Sequence, residues 1–199
     1  MNYNKLTSLV ANVEAIETAV NIHVQGRTAT TDEKEILSRY SGFGGIKEVL
    51  NIGTDNPVTD NMAEPLNRLE KALRTWTGED ETMYRTLVES IKASVLTAFY
   101  TPQFIVEAVA RQIHDTFQQN GLQMRSLLEP SAGIGGFLPV AMSDTHSYAF
   151  EKDCITGLIL SFLHDDTDTV TAGFETIGEQ DFEHSKFDVI ASNIPFGNF

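Results

Sequence analysis

The segment at residues 192–196 contains side chains that could orient an amine for chemistry. The amide oxygen of Asn193 and the backbone carbonyl of Ile194 can together accept both hydrogens of an exocyclic amine, which aligns the nitrogen lone pair with an electrophilic methyl group. Pro195 stiffens the turn that presents Asn193, and Phe196 offers a ring face on which an extruded base can stack. The segment therefore predicts a catalytic turn, and a strand-ending turn without function is the alternative.

A glycine-rich segment, EPSAGIGGF at residues 129–137, directly follows a short apolar run. Its glycines at 133, 135 and 136 allow the backbone to approach a ligand, and α/β folds bind nucleotide-like ligands in the crevice at the carboxyl ends of their strands. The segment is not the dinucleotide fingerprint, because its last two glycines are adjacent and no phosphate-binding lysine follows. A tight turn without a ligand remains open on this motif alone.

Acidic residues follow the next two apolar runs. Glu151 ends the second run about 20 residues after the glycine-rich turn, where an acid can accept hydrogen bonds from ribose hydroxyls. Asp181 and Phe182 come after the third run and suit the amino group and the ring face of an adenine. A single acid is more typical of a solvated surface position. At successive strand ends, these residues predict a nucleoside pocket.

Four apolar runs in the second half of the chain alternate with helical or loop segments. This alternation is typical of βαβ units, so the pattern predicts a parallel sheet. A helix is predicted before the first run, with Thr101 as its N-cap, Pro102 at its first position and Gly121 at its end. Its buried face is predicted to contain Ile105, Val109 and Ile113. The predicted strands cover residues 126–130, 147–151, 169–175 and 187–193.

The first 96 residues have helical spacing of apolar positions. Thr30 and Glu33 form the pattern of a capping box at the start of one helix. The segment SGFGG around Phe43 contains three glycines, which favours a sharp turn with a short helix after it. The helices are predicted over residues 3–22, 30–40, 62–76 and 80–96, so a domain boundary is expected near residue 97.

The composition excludes several classes of function. The net charge is −14, and residues 101–199 contain 4 Lys and Arg against 14 Asp and Glu, whereas a surface that binds a phosphate backbone needs clustered cations. The five histidines lack metal-ligand spacing, so no metal site is predicted. The single cysteine, Cys154, is expected in the core. No apolar run approaches the roughly 20 residues that span a bilayer, and a cytoplasmic protein is predicted.

Together these motifs resemble the S-adenosylmethionine-dependent N6-adenine DNA methyltransferases of the amino-methylating group. The segment EPSAGIGGF is similar to their cofactor loop DPACGSGGF, and NIPF is similar to their catalytic tetrapeptide NPPY/F. Glu129 replaces the usual aspartate, and Ile194 replaces the first proline. The N-terminal segment YSGFGGIKE also resembles the leading region of methylase–helicase polypeptides from mobile elements. The resemblance implies catalytic roles for Asn193, Ile194, Pro195 and Phe196, and cofactor contacts from Tyr100, Thr101, Pro102, Glu129, Ser131, Gly133, Gly135, Phe137, Glu151, Asp181 and Phe182.

The resemblance also implies the organisation of the protein. It implies an α/β fold with the first half of a Rossmann-like methyltransferase sheet, about four parallel strands in residues 97–199, after a helical N-terminal domain in residues 1–96. The sheet would stop directly after the catalytic motif, so the chain is expected to be part of a longer protein that holds the DNA-recognition surface. The expected partners are DNA, mostly through those other regions, and a second copy through an open sheet edge.

The resemblance implies an enzyme that transfers a methyl group from S-adenosylmethionine to adenine N6 in DNA, as in restriction–modification or mobile-element protection. The chain alone is expected to be inactive. Methylation of a protein glutamine amide is an alternative, because those enzymes use the same kind of tetrapeptide. A non-catalytic cofactor- or protein-binding module is a second alternative, which the acidic surface supports.

Overall fold

The computed structural model describes residues 4–54, 58, 60–98, 100–180 and 186–194. The described residues form two compact units, with the change from one to the other between residues 98 and 100. The first unit is helical, and the second combines helices with a parallel sheet. None of the helices in these ranges is both long and apolar enough to cross a bilayer.

The helical unit is built around the apolar face of its first helix. Leu9, Val13 and Ile16 on this face are 0–1% exposed, and the helix packs against the third helix of the unit. The capping box at the second helix is confirmed, since Glu33 N–H donates to the Thr30 hydroxyl and Thr30 N–H donates back to the Glu33 carboxylate. The α-helices are α1 (Lys5–Gln25), α2 (Thr31–Leu37), α3 (Ala63–Thr77) and α4 (Glu81–Thr97), and a short 3₁₀ helix covers Lys47–Asn51.

The glycine-containing segment after α2 is fixed to α1 by a buried amide. Asn12 is 0% exposed, its amide group donates to the Gly42 carbonyl over 2.5 Å, and its oxygen accepts the Ser41 N–H over 2.8 Å. The Tyr40 and Phe43 rings pack edge to face, with centroids 6.3 Å apart. The segment SGFGG thus serves the packing of the helical unit.

The α/β unit contains a four-stranded sheet in the order β3-β2-β1-β4, and every pairing among the described strands is parallel. This confirms the prediction of an α/β fold with parallel strands. The order is compatible with a Rossmann-like sheet, in which the strand order reverses between β1 and β4 and the crevice there can take a ligand. The strands are β1 (Ser126–Glu129), β2 (His146–Phe150), β3 (Thr167–Val170) and β4 (Val189–Ile190), and the helices are α5 (Gln103–Gln119) and α6 (Cys154–Leu163).

The central strand β1 is buried along its whole length, as expected for a parallel sheet with both faces covered. Leu127 packs into a cluster with Val106 and Ala110 of α5. Leu128 belongs to a second cluster with aromatic residues of β2. The Asp188 carboxylate accepts hydrogen bonds from the backbone N–H groups at the start of β1, over 2.7 and 3.1 Å, which aligns β4 beside β1.

Two connections of the α/β unit contain short 3₁₀ helices. The chain between β1 and β2 forms turns and a 3₁₀ helix at Leu138–Val140, so this connection has no α-helix and is one of the loop segments expected between strands. Three glycines in four residues lower the helix propensity there. The third strand was predicted over residues 169–175, and this is wrong after Val170, because the observed strand covers Thr167–Val170 and a 3₁₀ helix begins at Phe174 and continues to Glu179. Gly173 lies between the two and weakens an extended strand.

Details of the two helices also differ from expectation. The N-cap of α5 is Pro102, one residue after the predicted Thr101, so Pro102 lies outside the helix. Ile105 is 40% exposed, because Val106 and Ala110 face the sheet in its place. Cys154 is the first residue of α6 and is half-buried, so it is not a core residue.

Candidate functional site

The glycine-rich loop, residues 129–137, begins with a buried acid at the end of β1. Glu129 is 1% exposed, and its Oε1 accepts the Phe137 N–H over 3.0 Å, so the loop closes around the carboxylate. Its Oε2 is buried and has no hydrogen-bond partner among the described residues. Burial raises the pKa of Glu129 to about 8, because a charged carboxylate is poorly solvated there.

Glu151 ties the middle of this loop to the end of β2. Its Oε2 accepts the Gly133 N–H over 2.7 Å, and its Oε1 accepts the Asp153 N–H over 2.8 Å. Burial raises the pKa of Glu151 to about 7, and the two backbone hydrogen bonds oppose that rise. The sequence separation of 18 residues is therefore bridged at one edge of the sheet, as the strand-end pattern predicted.

Tyr100 covers the glycine-rich loop at Gly133. Gly133 has a φ of 58°, and a Cβ at this position would overlap the Tyr100 ring, so only glycine allows the ring to lie this close. Burial raises the pKa of the Tyr100 hydroxyl, which also has a hydrogen bond with the Thr156 side chain in the first turn of α6. Tyr100 thus links the segment before α5 to the loop and to α6.

The end of β4 reaches the same edge of the sheet. The Ser192 hydroxyl donates to the Ser131 carbonyl over 3.1 Å, which joins the residues after β4 to the loop after β1. Asn193 follows directly and is half-buried, whereas Ile194 is 64% exposed. Because the carboxyl ends of β1 and β4 are adjacent, this is the crevice where the strand order reverses.

The charge of this edge is acidic. The loop and the strand-end residues 151 and 192–194 contain no Lys or Arg, and Lys152 is exposed and paired with Glu175 over 3.5 Å. An edge of this kind does not provide the cations that a phosphate group needs. In the described parts of the chain, no group of three or more His, Cys, Asp or Glu residues could hold a metal ion.

The structure brings together most of the residues predicted for the cofactor site. Tyr100 and Glu151 both meet the glycine-rich loop at Gly133. The loop itself contains five of the predicted residues: Glu129, Ser131, Gly133, Gly135 and Phe137. Thr101 and Pro102 instead precede α5, where the Pro102 carbonyl accepts the Ile105 N–H. Four predicted residues lie outside the described residues: Asp181, Phe182, Pro195 and Phe196.

Two residues at the site were not found from the sequence. Ser192 is a neighbour of Asn193, and its position one residue before the predicted catalytic turn could have indicated it. His164 follows α6, and its Nε2 lies 2.9 Å from the Ile134 carbonyl oxygen. The two residues of this contact are 30 positions apart, so no local pattern indicates it.

Comparison with known proteins finds a phage relative. No family model matches the chain, and no solved structure matches it. The chain is 25% identical over 187 residues to "Defense against restriction protein B" of Escherichia phage P1. It is similar to a phage protein of restriction defence. The match covers 94% of this chain but 6% of the phage protein.

This comparison corrects the family assignment. The motifs suggested an N6-adenine DNA methyltransferase, but the similar protein is described as a defence against restriction, and no methyltransferase family model matches. The identification as a member of that methyltransferase family is therefore wrong. The short motifs that carried it, a glycine-rich turn and an Asn-containing turn, are features that unrelated α/β proteins can share.

Proposed function

We propose that the α/β unit binds S-adenosylmethionine at the carboxyl ends of β1, β2 and β4. In the longer protein, the bound cofactor would serve methyl transfer to an exocyclic amine, with adenine N6 in DNA as the first candidate. We propose this chemistry for the carboxyl-end edge of the sheet, and we do not propose that the chain belongs to the N6-adenine methyltransferase family. A Rossmann-like methyltransferase sheet is the fold that such an activity would use.

The observation that carries the proposal is the position of Glu151 against Gly133. The carboxylate lies at the end of the strand next to β1 and is held by two backbone N–H groups, so its position is fixed. Each carboxylate oxygen has a further lone pair for a hydroxyl donor. An acid at this place can accept both hydroxyl hydrogens of a ribose.

The charge of the site fits this cofactor better than a nucleotide. S-adenosylmethionine has no phosphate, and its sulfonium and ammonium groups are positive at neutral pH. Burial keeps Glu129 largely protonated and Glu151 partly protonated at neutral pH, and a positively charged ligand nearby would favour the ionised form of both acids. The partnerless Oε2 of Glu129 could then accept a hydrogen from the ammonium group. When bound, the cofactor supplies an electrophilic methyl group.

The residues of this chain would position the amine that receives the methyl group. Asn193 follows β4 beside the loop, and its amide oxygen and the Ile194 carbonyl would accept the two amine hydrogens. Ser192 holds this segment against the loop through Ser131. The name of the phage relative, a defence against restriction, supports a role in protecting DNA from restriction, and methylation of adenine is one chemical way to do so.

Isothermal titration calorimetry with the 199-residue chain tests the cofactor site. We expect binding of S-adenosylmethionine and S-adenosylhomocysteine, and no binding of ATP, because the site has no cation for the phosphates. Absence of binding by either sulfur compound would refute the proposal. Transfer of a labelled methyl group to DNA by the longer protein, with and without Asn193→Ala, then tests the amine-orienting role.

A non-catalytic cofactor-binding module is a second candidate, and one observation favours it. Residues 101–199 have 14 acidic and 4 basic residues, a net charge of −10, which opposes the approach of a nucleic acid to this unit. In that case the longer protein would bind S-adenosylmethionine without transferring its methyl group to DNA. Transfer to a glutamine-containing peptide in the same assay would indicate instead the protein-methylating alternative.

A further inference from the structure

A histidine outside the predicted site supports the glycine-rich loop. His164 is the first residue after α6, and its backbone N–H donates to the Leu160 carbonyl. Its side-chain Nε2 lies 2.9 Å from the carbonyl oxygen of Ile134. Because a carbonyl oxygen only accepts hydrogen bonds, Nε2 must carry the hydrogen.

The loop is shaped around this imidazole. Gly135 has a φ of 87°, and a Cβ at this position would lie 2.6 Å from His164 Nε2 and 2.7 Å from a Leu138 methyl carbon. The Gly135 N–H donates back to the Ala132 carbonyl over 2.8 Å, which closes a tight turn. The side chain of residue 135 and the imidazole therefore cannot both occupy this space.

His164 and Glu151 hold adjacent residues of the loop from opposite ends of one helix. Glu151 precedes α6 and accepts the Gly133 N–H, and His164 follows α6 and donates to the Ile134 carbonyl. Two hydrogen bonds to neighbouring residues restrict the rotation of the peptide between them. A loop fixed in this way loses less conformational entropy when it binds a ligand.

We infer that His164 is a positioning residue, which holds the glycine-rich loop in the shape that binds the cofactor without touching the cofactor itself. The inference rests on the proposed S-adenosylmethionine site. His164 acts through the Ile134 carbonyl, so its removal should weaken cofactor binding while the acids that contact the cofactor stay in place.

Calorimetry of S-adenosylmethionine binding to the full 199-residue chain tests this role. His164→Ala should weaken binding by about five- to tenfold, the factor expected for one lost hydrogen bond. His164→Gln should restore binding to within about twofold, because a glutamine amide can donate from nearly the same place as Nε2. If His164→Ala does not fold, His164→Asn replaces it, since the shorter amide cannot reach the Ile134 carbonyl.

His114→Ala is the matched control. His114 is also half-buried, and its Nε2 lies 2.8 Å from the Val140 carbonyl, outside the glycine-rich loop. This variant loses a comparable hydrogen bond and should keep cofactor affinity within about twofold of the unsubstituted chain. Equal weakening by both variants would mean a general effect on stability and would overturn the inference.

Amide hydrogen exchange without cofactor separates this inference from the proposed function. His164→Ala should speed exchange at the Gly135 and Gly136 amides, and His114→Ala should leave it unchanged. If the unsubstituted chain does not bind S-adenosylmethionine, the proposed function fails, and the exchange still shows whether His164 holds the loop. Unchanged exchange and unchanged affinity in His164→Ala would refute the positioning role.

Discussion

The carboxylate of Glu151 and the backbone N–H of Gly133 are joined by a hydrogen bond of 2.7 Å across two adjacent strand ends. This contact helps to fix both the position of the acid and the path of the glycine-rich loop. A ligand in the crevice would therefore meet an acid that needs little rearrangement. Preorganisation of this kind increases affinity, because these groups have already lost their conformational entropy during folding and lose little more on binding.

Replacement of Glu151 should weaken cofactor binding. We expect Glu151→Ala to reduce the affinity for S-adenosylmethionine by roughly tenfold or more, since hydrogen bonds to a charged group contribute about 1.5–3 kcal/mol. Calorimetry measures the change. Glu175→Ala is the control, because Glu175 is an exposed acid of the same unit, 70% accessible at its side chain. Equal affinities of the two variants for S-adenosylmethionine would show that Glu151 does not contribute to cofactor binding.

Gly135 should tolerate no side chain, whereas its neighbour Gly136 should. Gly135→Ala should destabilise the α/β unit by roughly 1–2 kcal/mol, the cost of a left-handed backbone for alanine, and the overlap with His164 adds to this. At Gly136, a Cβ would meet no atom within 4 Å, and the backbone does not have a left-handed φ. Urea unfolding of both variants measures the difference, and similar losses would contradict the described turn.

The parallel sheet could be predicted from the sequence because its signals are local. Runs such as SLLE are short and apolar, and they alternate with helical or loop segments. The same reasoning placed Glu151 near the glycine-rich loop, since carboxyl ends of parallel strands share one edge. Where the pattern was local, the expected element was close to the observed one.

The shape of the loop could not be predicted, because it depends on contacts between distant residues. His164 is 30 positions from Ile134, and Tyr100 is far from Gly133 in the chain. On α5, the predicted positions Val109 and Ile113 do pack against the core, but Val106 is buried in place of the predicted Ile105, because both are apolar and only packing distinguishes them. Periodicity alone cannot choose between two adjacent apolar residues on neighbouring faces.

Stability should fall as the pH rises from about 4.5 to about 8. Burial raises the folded-state pKa of Glu129 to about 8 and that of Glu151 to about 7, from a usual value of 4.5. The folded state thus binds these protons more tightly than the unfolded state. The contribution of these two protons to the free energy of unfolding is complete below pH 4.5. It is lost as the pH rises, fully by about pH 7 for Glu151 and by about pH 8 for Glu129.

Glu129→Gln should reduce this pH dependence. The glutamine oxygen can still accept the Phe137 N–H, and a neutral amide does not titrate. Thermal unfolding followed from about pH 5 to pH 8 measures the slope. Glu175→Gln is the control, because the pKa of Glu175 is lowered and its titration is complete below this range. A slope that Glu129→Gln leaves unchanged would show that Glu129 ionises normally in the folded protein.

The helical unit should depend on Asn12. Asn12→Ala removes the donor to the Gly42 carbonyl and the acceptor for the Ser41 N–H, and we expect a loss of about 2–4 kcal/mol, since the two backbone groups then lack partners. Asn21→Ala is the control on the same helix, because Asn21 is exposed and its side-chain oxygen accepts a hydrogen bond from the Gln25 amide at the surface. Chemical unfolding of the helical unit should separate the two variants, and equal stabilities would contradict this role of the buried amide.

The 199-residue chain by itself should not bind duplex DNA tightly. Affinity for duplexes depends on cations that contact phosphates, and the chain has 14 Lys and Arg against 28 Asp and Glu. The α/β unit contributes only Arg111, Arg125, Lys152 and Lys186 from residues 101–199. A mobility-shift assay with a short duplex at physiological salt should therefore show no submicromolar complex.

Lowering the salt concentration should not produce a complex either. The net charge of −14 repels the duplex more strongly when fewer ions screen it. A tight complex under these conditions would place a DNA-binding surface on this chain, and the proposal that DNA contacts lie elsewhere in the longer protein would be wrong.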